Sequence, residues 1–253
     1  MTDVAIITGS EFYDFDGVHA PEQISVDTAW GKAEATLGHY RGKSILFIPR
    51  HRTGHRLLPN MINHRANIAA CAQHQVKAIL ATSVCGVLRA DIPLGRPLLF
   101  NDLFFLDNRL LDGSACTFFT QEGQPSRGHL MFSNPFCDVS SFFGEDILSN
   151  KTYGHVNGPR FNSRSEIGFL ATYCDAISQT CGPEVILSNE IEIPYVLMGY
   201  GVNYADGVNA VPTSRAELNE NLARSKSAFQ FMIDKLLDEA TFTSQSFMYR
   251  FED

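Results

Sequence analysis

The chain has one tryptophan, no CxxC pair among its six cysteines, and fewer basic than acidic residues, 20 against 28. The acidic excess, with a sequence pI of about 5.5, excludes a broad nucleic-acid or anionic-membrane surface, because such binding is mostly phosphate neutralisation by Lys and Arg. Any anion site must therefore be local. No segment approaches the roughly 18 apolar residues that span a bilayer, and the opening MTDVAIITGS has no basic leader before its short apolar run. Several cysteines sit inside apolar runs, where a free thiol packs as a small hydrophobe. These absences point to a cytoplasmic protein with no membrane partner and no nucleic-acid partner. Internal repeats and low-complexity runs are also missing, and the one long turn-rich segment is about 107–128.

At 253 residues the chain can form one large core. The expectation is a single domain over 1–253, with 240–253 as a C-terminal tail. Short apolar or β-branched runs at Val4–Thr8, Ser44–Pro49, Lys77–Val84, Pro97–Phe105, Ala176–Gln179 and Pro194–Asn203 lack clean alternation. They read as strands covered on both faces. Helices are predicted over Asn63–His74, Ser163–Tyr173, Pro183–Glu190 and Ser214 to about Glu239. The last is the clearest: Leu218, Leu222, Ser225, Phe229, Met232, Ile233 and Leu236 recur at three- and four-residue spacing. Ser214 with Glu217, and Ser163 with Glu166, match capping boxes. The fold class is α/β, a three-layer αβα arrangement with a mixed central sheet, and its ligands are expected beyond the carboxyl ends of the strands.

Those ends carry Thr8-Gly9-Ser10-Glu11, Pro49-Arg50-His51, Ser83-Val84-Cys85-Gly86, Gln179-Thr180-Cys181 and Asn203-Tyr204-Ala205-Asp206-Gly207. Hydroxyls, glycines and one Arg-His pair are what an inorganic phosphate requires: donors to its oxygens, a planar guanidinium for bidentate contact, and close backbone approach. Turn chemistry alone also favours Gly and Ser at such places. The run FIPRHRTGHRLLPN, residues 47–60, concentrates Arg50, His51, Arg52, His55 and Arg56 just past a strand. The spacing of His51 and His55 suits zinc on a helix, but Thr53-Gly54 between them reads as a loop and no third ligand is near. No metal is expected.

The stretches IITGSEFYD, LFIPRHRTGH…PNMINHRANIAA, ATSVCGVLRADIPLG, TFF at 117–119, HLMFSNPFC, GPRFNSRSE and PEVILSNE together resemble the trimeric purine nucleoside phosphorylases. They are most similar to the methylthioadenosine and methylthioinosine branch. The likeness runs from Ile6 to about Lys226. It implies phosphorolysis of a purine nucleoside, with inorganic phosphate as co-substrate, no cofactor, and a homotrimer with sites at subunit interfaces. It places Ser10, Arg50, His51, Ser83, Val84 and Thr180 around phosphate, Phe161 and Gln179 against the nucleoside, and His129 in the neighbouring subunit's sugar pocket.

Base choice falls to GYGVNYADGV, residues 199–208. Adenine-specific members of the family place two aspartates where this chain has Asn203 and Ala205. An asparagine amide can donate to both O6 and N7 of a 6-oxopurine, so Asn203 favours that class. A local bulge would instead bring Asp206 to the base and restore adenine binding or N7 protonation; Asn203 and Asp206 are the candidate catalytic pair. Thr8 and Glu11 stand where the family has glycine, Gln179 replaces a methionine beside the ribose, and Val87 replaces a serine. Two other readings follow from these departures: a nucleosidase, with Glu11 activating water, and a nucleoside-binding protein without turnover. The 5′ substituent, methylthio or hydroxyl, is left open.

Overall fold

The computed structural model describes residues 2–251; the last two residues of the expected tail lie outside them. Eleven strands and four helices follow in the order β1 (Val4–Thr8), β2 (His19–Thr28), β3 (Gly31–Tyr40), β4 (Lys43–Pro49), α1 (His64–Gln73), β5 (Ile79–Val87), β6 (Pro97–Phe104), β7 (Gly128–Met131), β8 (Leu148–His155), α2 (Arg164–Leu170), β9 (Ala176–Ser178), α3 (Cys181–Glu190), β10 (Tyr195–Tyr204), α4 (Arg215–Glu239) and β11 (Phe247–Arg250). Each predicted strand and helix is present; Val4–Thr8 matches at both ends, and the other ends differ by at most three residues.

Nine strands form one mixed sheet, in the order β10-β6-β8-β9-β5-β1-β4-β3-β2, and β10 also pairs with β5. That extra pairing joins β5, β10, β6, β8 and β9 into a closed ring, from which β1, β4, β3 and β2 extend as an open wing. Strands β4, β1, β5 and β10 are mutually parallel, so their carboxyl ends emerge together.

The central strands are apolar throughout because alternate residues enter two separate cores. Ala5, Ile7, Leu46, Ile48, Ile79 and Ala81 face one core with α1 and α3 residues such as Ile68, Cys71 and Val185. Val4, Ile6, Ile45, Phe47, Ala78 and Leu80 face the other with Phe229, Met232, Ile233 and Leu236 of α4. Helices on both faces of a mixed sheet give the three-layer α/β arrangement expected from the sequence.

The strands that periodicity missed have weaker signatures. β2 is exposed at most positions, and its hairpin with β3 is held by antiparallel pairing from Glu22↔Leu37 to Thr28↔Gly31. β8 reads LSNKTYGH, and its placement comes from neighbours on both sides, β6 and β9. β11 pairs with β7, so the C-terminal segment returns to its own chain, with Met248 buried.

The helix caps follow the local sequence. Ser163 and Glu166 make a reciprocal capping box on α2. At α4 the Ser214 hydroxyl accepts from the Glu217 N–H at 3.1 Å. Ser225, Phe229, Met232, Ile233 and Leu236 of α4 are buried as predicted, whereas Leu218 and Leu222 border an open cleft. Phe229→Ala should therefore lower unfolding free energy by about 3–5 kcal/mol, the usual cost of removing a buried aromatic. Leu222→Ala should lower it by less than half as much; denaturant titration of both variants checks the difference.

Candidate active site

The parallel carboxyl ends open into a cleft of about 670 Å3. Its walls are Gly9, Ser10 and Glu11 after β1, Arg50 and His51 after β4, Ser83 to Gly86 in β5, Ser178 to Thr180 at β9, and Val202 to Gly207 at β10. β9 runs antiparallel to β5 with Ile177 opposite Gly86. Continued past Ser178, that register returns Thr180 toward Ser83. Phe161, 88% exposed, stands at the rim. Of the residues given a phosphate, nucleoside or catalytic role in the sequence, only His129 is away from this cleft: it lies in β7 opposite Tyr249, its ring edge-on to Phe251.

Arg50 is placed differently from a freely reaching guanidinium. Its side chain is fully enclosed. Nε and Nη2 donate to the two carboxylate oxygens of Glu184, each at 2.8 Å. Nη1 donates to the Thr82 carbonyl at 2.7 Å, and Nη2 lies 3.5 Å from the Ile7 carbonyl. The bidentate face expected for phosphate is thus occupied by Glu184. Four of the five guanidinium N–H groups are engaged, leaving one on Nη1, beside Gly9. A Cβ on Gly9 would lie 3.0 Å from that nitrogen, so glycine there permits the close approach.

Glu184 also accepts from the Tyr195 hydroxyl at 2.7 Å and lies 3.5 Å from His64 Nδ1. Burial opposes the carboxylate's charge, but Arg50 and His64 outweigh it and hold Glu184 well below the usual carboxylate range. Sequence reading assigned Glu184 no role. The available signal was an acidic residue opening the otherwise apolar helix run PEVIL.

His51 is buried, and its Nδ1 lies 2.8 Å from the Leu57 carbonyl oxygen. Its ring stacks on His55 at 4.2 Å, and His55 Nδ1 is 2.9 Å from the Tyr13 hydroxyl. Burial, then the positive charge of Arg50, pull the His51 pKa down to about 4, although its bond to Leu57 works the other way. The parallel rings turn their nitrogens to different partners, and no group of three or more metal-ligating side chains occurs among the described residues. Deeper in, His155 is fully enclosed, and burial followed by nearby His64 lowers its pKa to about 3. Neither His155 nitrogen has a hydrogen-bond partner among the described residues. A Cβ on Gly182 would fall 2.5 Å from the His155 ring, so only glycine lets α3 pass it.

At the opposite end, Asn203 Nδ2 donates to the Tyr204 carbonyl at 2.9 Å. Because a carbonyl only accepts, this bond fixes which end of the amide is NH2. The strand irregularity falls between Gly201 and Asn203. Asp206 borders the cleft and pairs with Arg164 Nη2 at 3.4 Å. Gln179 Nε2 donates to the Arg160 carbonyl at 2.9 Å. Val211, Pro212, Thr213, Leu218 and Leu222, which the sequence reading left unassigned, supply the wall from α4 and the loop before it.

The sequence profile of the phosphorylase superfamily matches residues 3–238. A Dictyoglomus turgidum protein named "Probable 6-oxopurine nucleoside phosphorylase" is 30% identical over 250 residues, covering 93% of this chain and 92% of its own. A Nitrosopumilus maritimus protein named S-methyl-5′-thioadenosine phosphorylase is 29% identical, covering 94% and 91%. Among solved structures, methylthioadenosine phosphorylase from Schistosoma mansoni in complex with adenine superposes with a TM-score of 0.80 at 22% identity, covering 94% of this chain and 91% of that one.

Two outcomes are expected. Glu184→Leu should cost about 3–5 kcal/mol by stranding the buried guanidinium, and Arg50→Met with Glu184→Leu should regain most of that stability; unfolding free energies of the single and double variants test the coupling. The folded-state pKa values of His51 and His155 lie below the ordinary 6.5 of an imidazole, so the unfolded chain binds more protons between them. Their contribution to stability is therefore full above about pH 6.5 and is lost as pH falls toward 4 and 3. His155→Leu should flatten part of that decline in denaturant unfolding measured across the range.

Proposed function

The chain belongs to the phosphorylase superfamily, and from that premise we propose that it is a purine nucleoside phosphorylase with a preference for 6-oxopurine bases. Inorganic phosphate is its co-substrate, with no cofactor or metal. The observation that carries the reading is the meeting of Ser10, Ser83, Thr180, His51 and Arg50 at one end of a cleft whose other end holds Asn203 and Phe161.

In this reaction a phosphate oxygen forms a bond to the ribose anomeric carbon as the bond from that carbon to the purine nitrogen breaks. The electron pair goes to the purine, which takes up a proton. The transition state carries positive charge on the sugar and negative charge on the base. Hydroxyl and backbone donors hold the anion under the sugar, with Val84 as the backbone contributor in β5. With one N–H fixed on Tyr204, the Asn203 amide has a second N–H for O6 or N7, where a carboxylate would repel O6. Asp206 is held at the rim by Arg164 in this structure; as a base-side acid it would first leave that pair. Gln179 and Phe161 flank the sugar and base.

The reading includes a cytoplasmic homotrimer in which His129, remote from its own cleft, serves a neighbouring subunit's sugar pocket. A methylthio nucleoside is the second reading for the 5′ end, favoured by the apolar wall of Val211, Leu218 and Leu222.

Incubation with inosine, guanosine, adenosine and both methylthio nucleosides, with and without phosphate, should give phosphate-dependent base release that is fastest for a 6-oxopurine. Release that is indifferent to phosphate would instead indicate hydrolysis. Asn203→Asp should move the ratio of kcat/KM for 6-oxopurine over 6-aminopurine toward adenine by at least about tenfold, the order expected when a buried donor is replaced by an acceptor.

A further inference from the structure

The chemistry at His51 bears on which oxyanions the cleft admits. Its Nδ1 sits 2.8 Å from the Leu57 carbonyl oxygen, and a carbonyl accepts only, so Nδ1 carries the ring proton. The ring is buried and stacked face to face on His55. The adjacent residue is the enclosed, permanently charged Arg50. Both neighbours oppose a second positive charge on the imidazole. Glu184, the enclosed carboxylate nearby, is already matched to Arg50 through both its oxygens. On His55, the Nδ1 atom is 2.9 Å from the Tyr13 hydroxyl. His51 borders the cleft, and its Nε2 has no hydrogen-bond partner among the described residues. What it offers there is a lone pair, and Glu11 also borders the cleft.

We propose that this end of the cleft selects an oxyanion that still carries a proton, hydrogen phosphate or hydrogen arsenate, and discriminates against sulfate, with His51 Nε2 accepting the anion's O–H. The proposal rests on the phosphate reading given above. Near neutral pH sulfate and hydrogen phosphate are both tetrahedral dianions, so neither shape nor charge distinguishes them; the O–H does. Facing sulfate, the Nε2 lone pair would give up its contact with water for an oxygen that has nothing to donate.

The test compares phosphate, arsenate and sulfate on the full-length chain at neutral pH, by protection against thermal unfolding and by sulfate inhibition of phosphate-dependent base release. Phosphate and arsenate should bind within about threefold of each other, and sulfate about 10–100-fold more weakly, the range for one unpaired buried acceptor. His51→Gln has an amide that can turn its N–H toward either anion, and should bring sulfate to within about threefold of phosphate. Equal binding of sulfate and phosphate by the wild-type chain overturns the proposal while leaving phosphorolysis standing, as does an unchanged ratio in folded His51→Gln. Base release that ignores phosphate overturns the phosphate reading and the proposal together. If His51→Gln does not fold, the wild-type ratio alone decides.

Discussion

The enclosed ion pair between Arg50 and Glu184 is the contact on which the site is built. Neither charge could be buried there alone, since an unpaired ion in the interior loses its hydration with nothing in return. Together they tie four elements at one point: Arg50 follows β4, Glu184 lies in the first turn of α3, Tyr195 opens β10, and Thr82 of β5 supplies a carbonyl. Thr180, immediately before α3, is thereby held beside the end of β5. The pair also changes the electrostatics of the anion end. With the guanidinium matched by a carboxylate and His51 neutral, an incoming anion meets oriented donors more than net positive charge. On the proposed reading, Ser10, Ser83, Thr180 and backbone N–H groups would carry most of the recognition.

Sheet topology explains why these donors converge. Parallel pairing of β1, β4, β5 and β10 points four carboxyl ends the same way. The short β9 then lies antiparallel on the last residues of β5. The ring closed by β10 and β5 fixes how far apart the two halves of the cleft stand. Without that pairing the same strand order would put β10 and Asn203 at the sheet edge, with β6 and β8 between them and β9.

Much of this was legible in the sequence, for a physical reason. β1, β4, β5 and β10 are buried on both faces, so their runs are apolar end to end, and the residue at which each run stops is where the chain reaches the cleft. Ser10, Arg50, Ser83 and Asn203 stand out by that contrast. β2 did not, because it is exposed at most positions, and β8 did not, because only its last three residues are buried; both lean on pairing, which leaves little trace in composition. Leu218 and Leu222 were legible only as part of the helical stripe, because leucines that border the cleft and leucines that fill the core share it. Glu184 escaped because its partner is more than a hundred residues away in sequence; nothing local marks a carboxylate whose charge is matched only in the folded state.

The two ends of the cleft obey one rule in opposite senses. At the end proposed for the anion a backbone carbonyl, Leu57, takes the proton-bearing nitrogen of His51 and leaves the lone pair on Nε2. At the base end another carbonyl, Tyr204, takes one N–H of Asn203 and fixes the amide's NH2 end. Side chains able to present either a donor or an acceptor are thus given a single polarity by contacts one and six residues along the chain. Those contacts lie in segments adjoining strands, so the polarity is set by the fold before any ligand arrives, and a ligand of the wrong polarity must break a backbone hydrogen bond to be accommodated. On the proposed readings, discrimination between oxyanions and between purines would therefore share one origin: which hydrogens the backbone has already claimed.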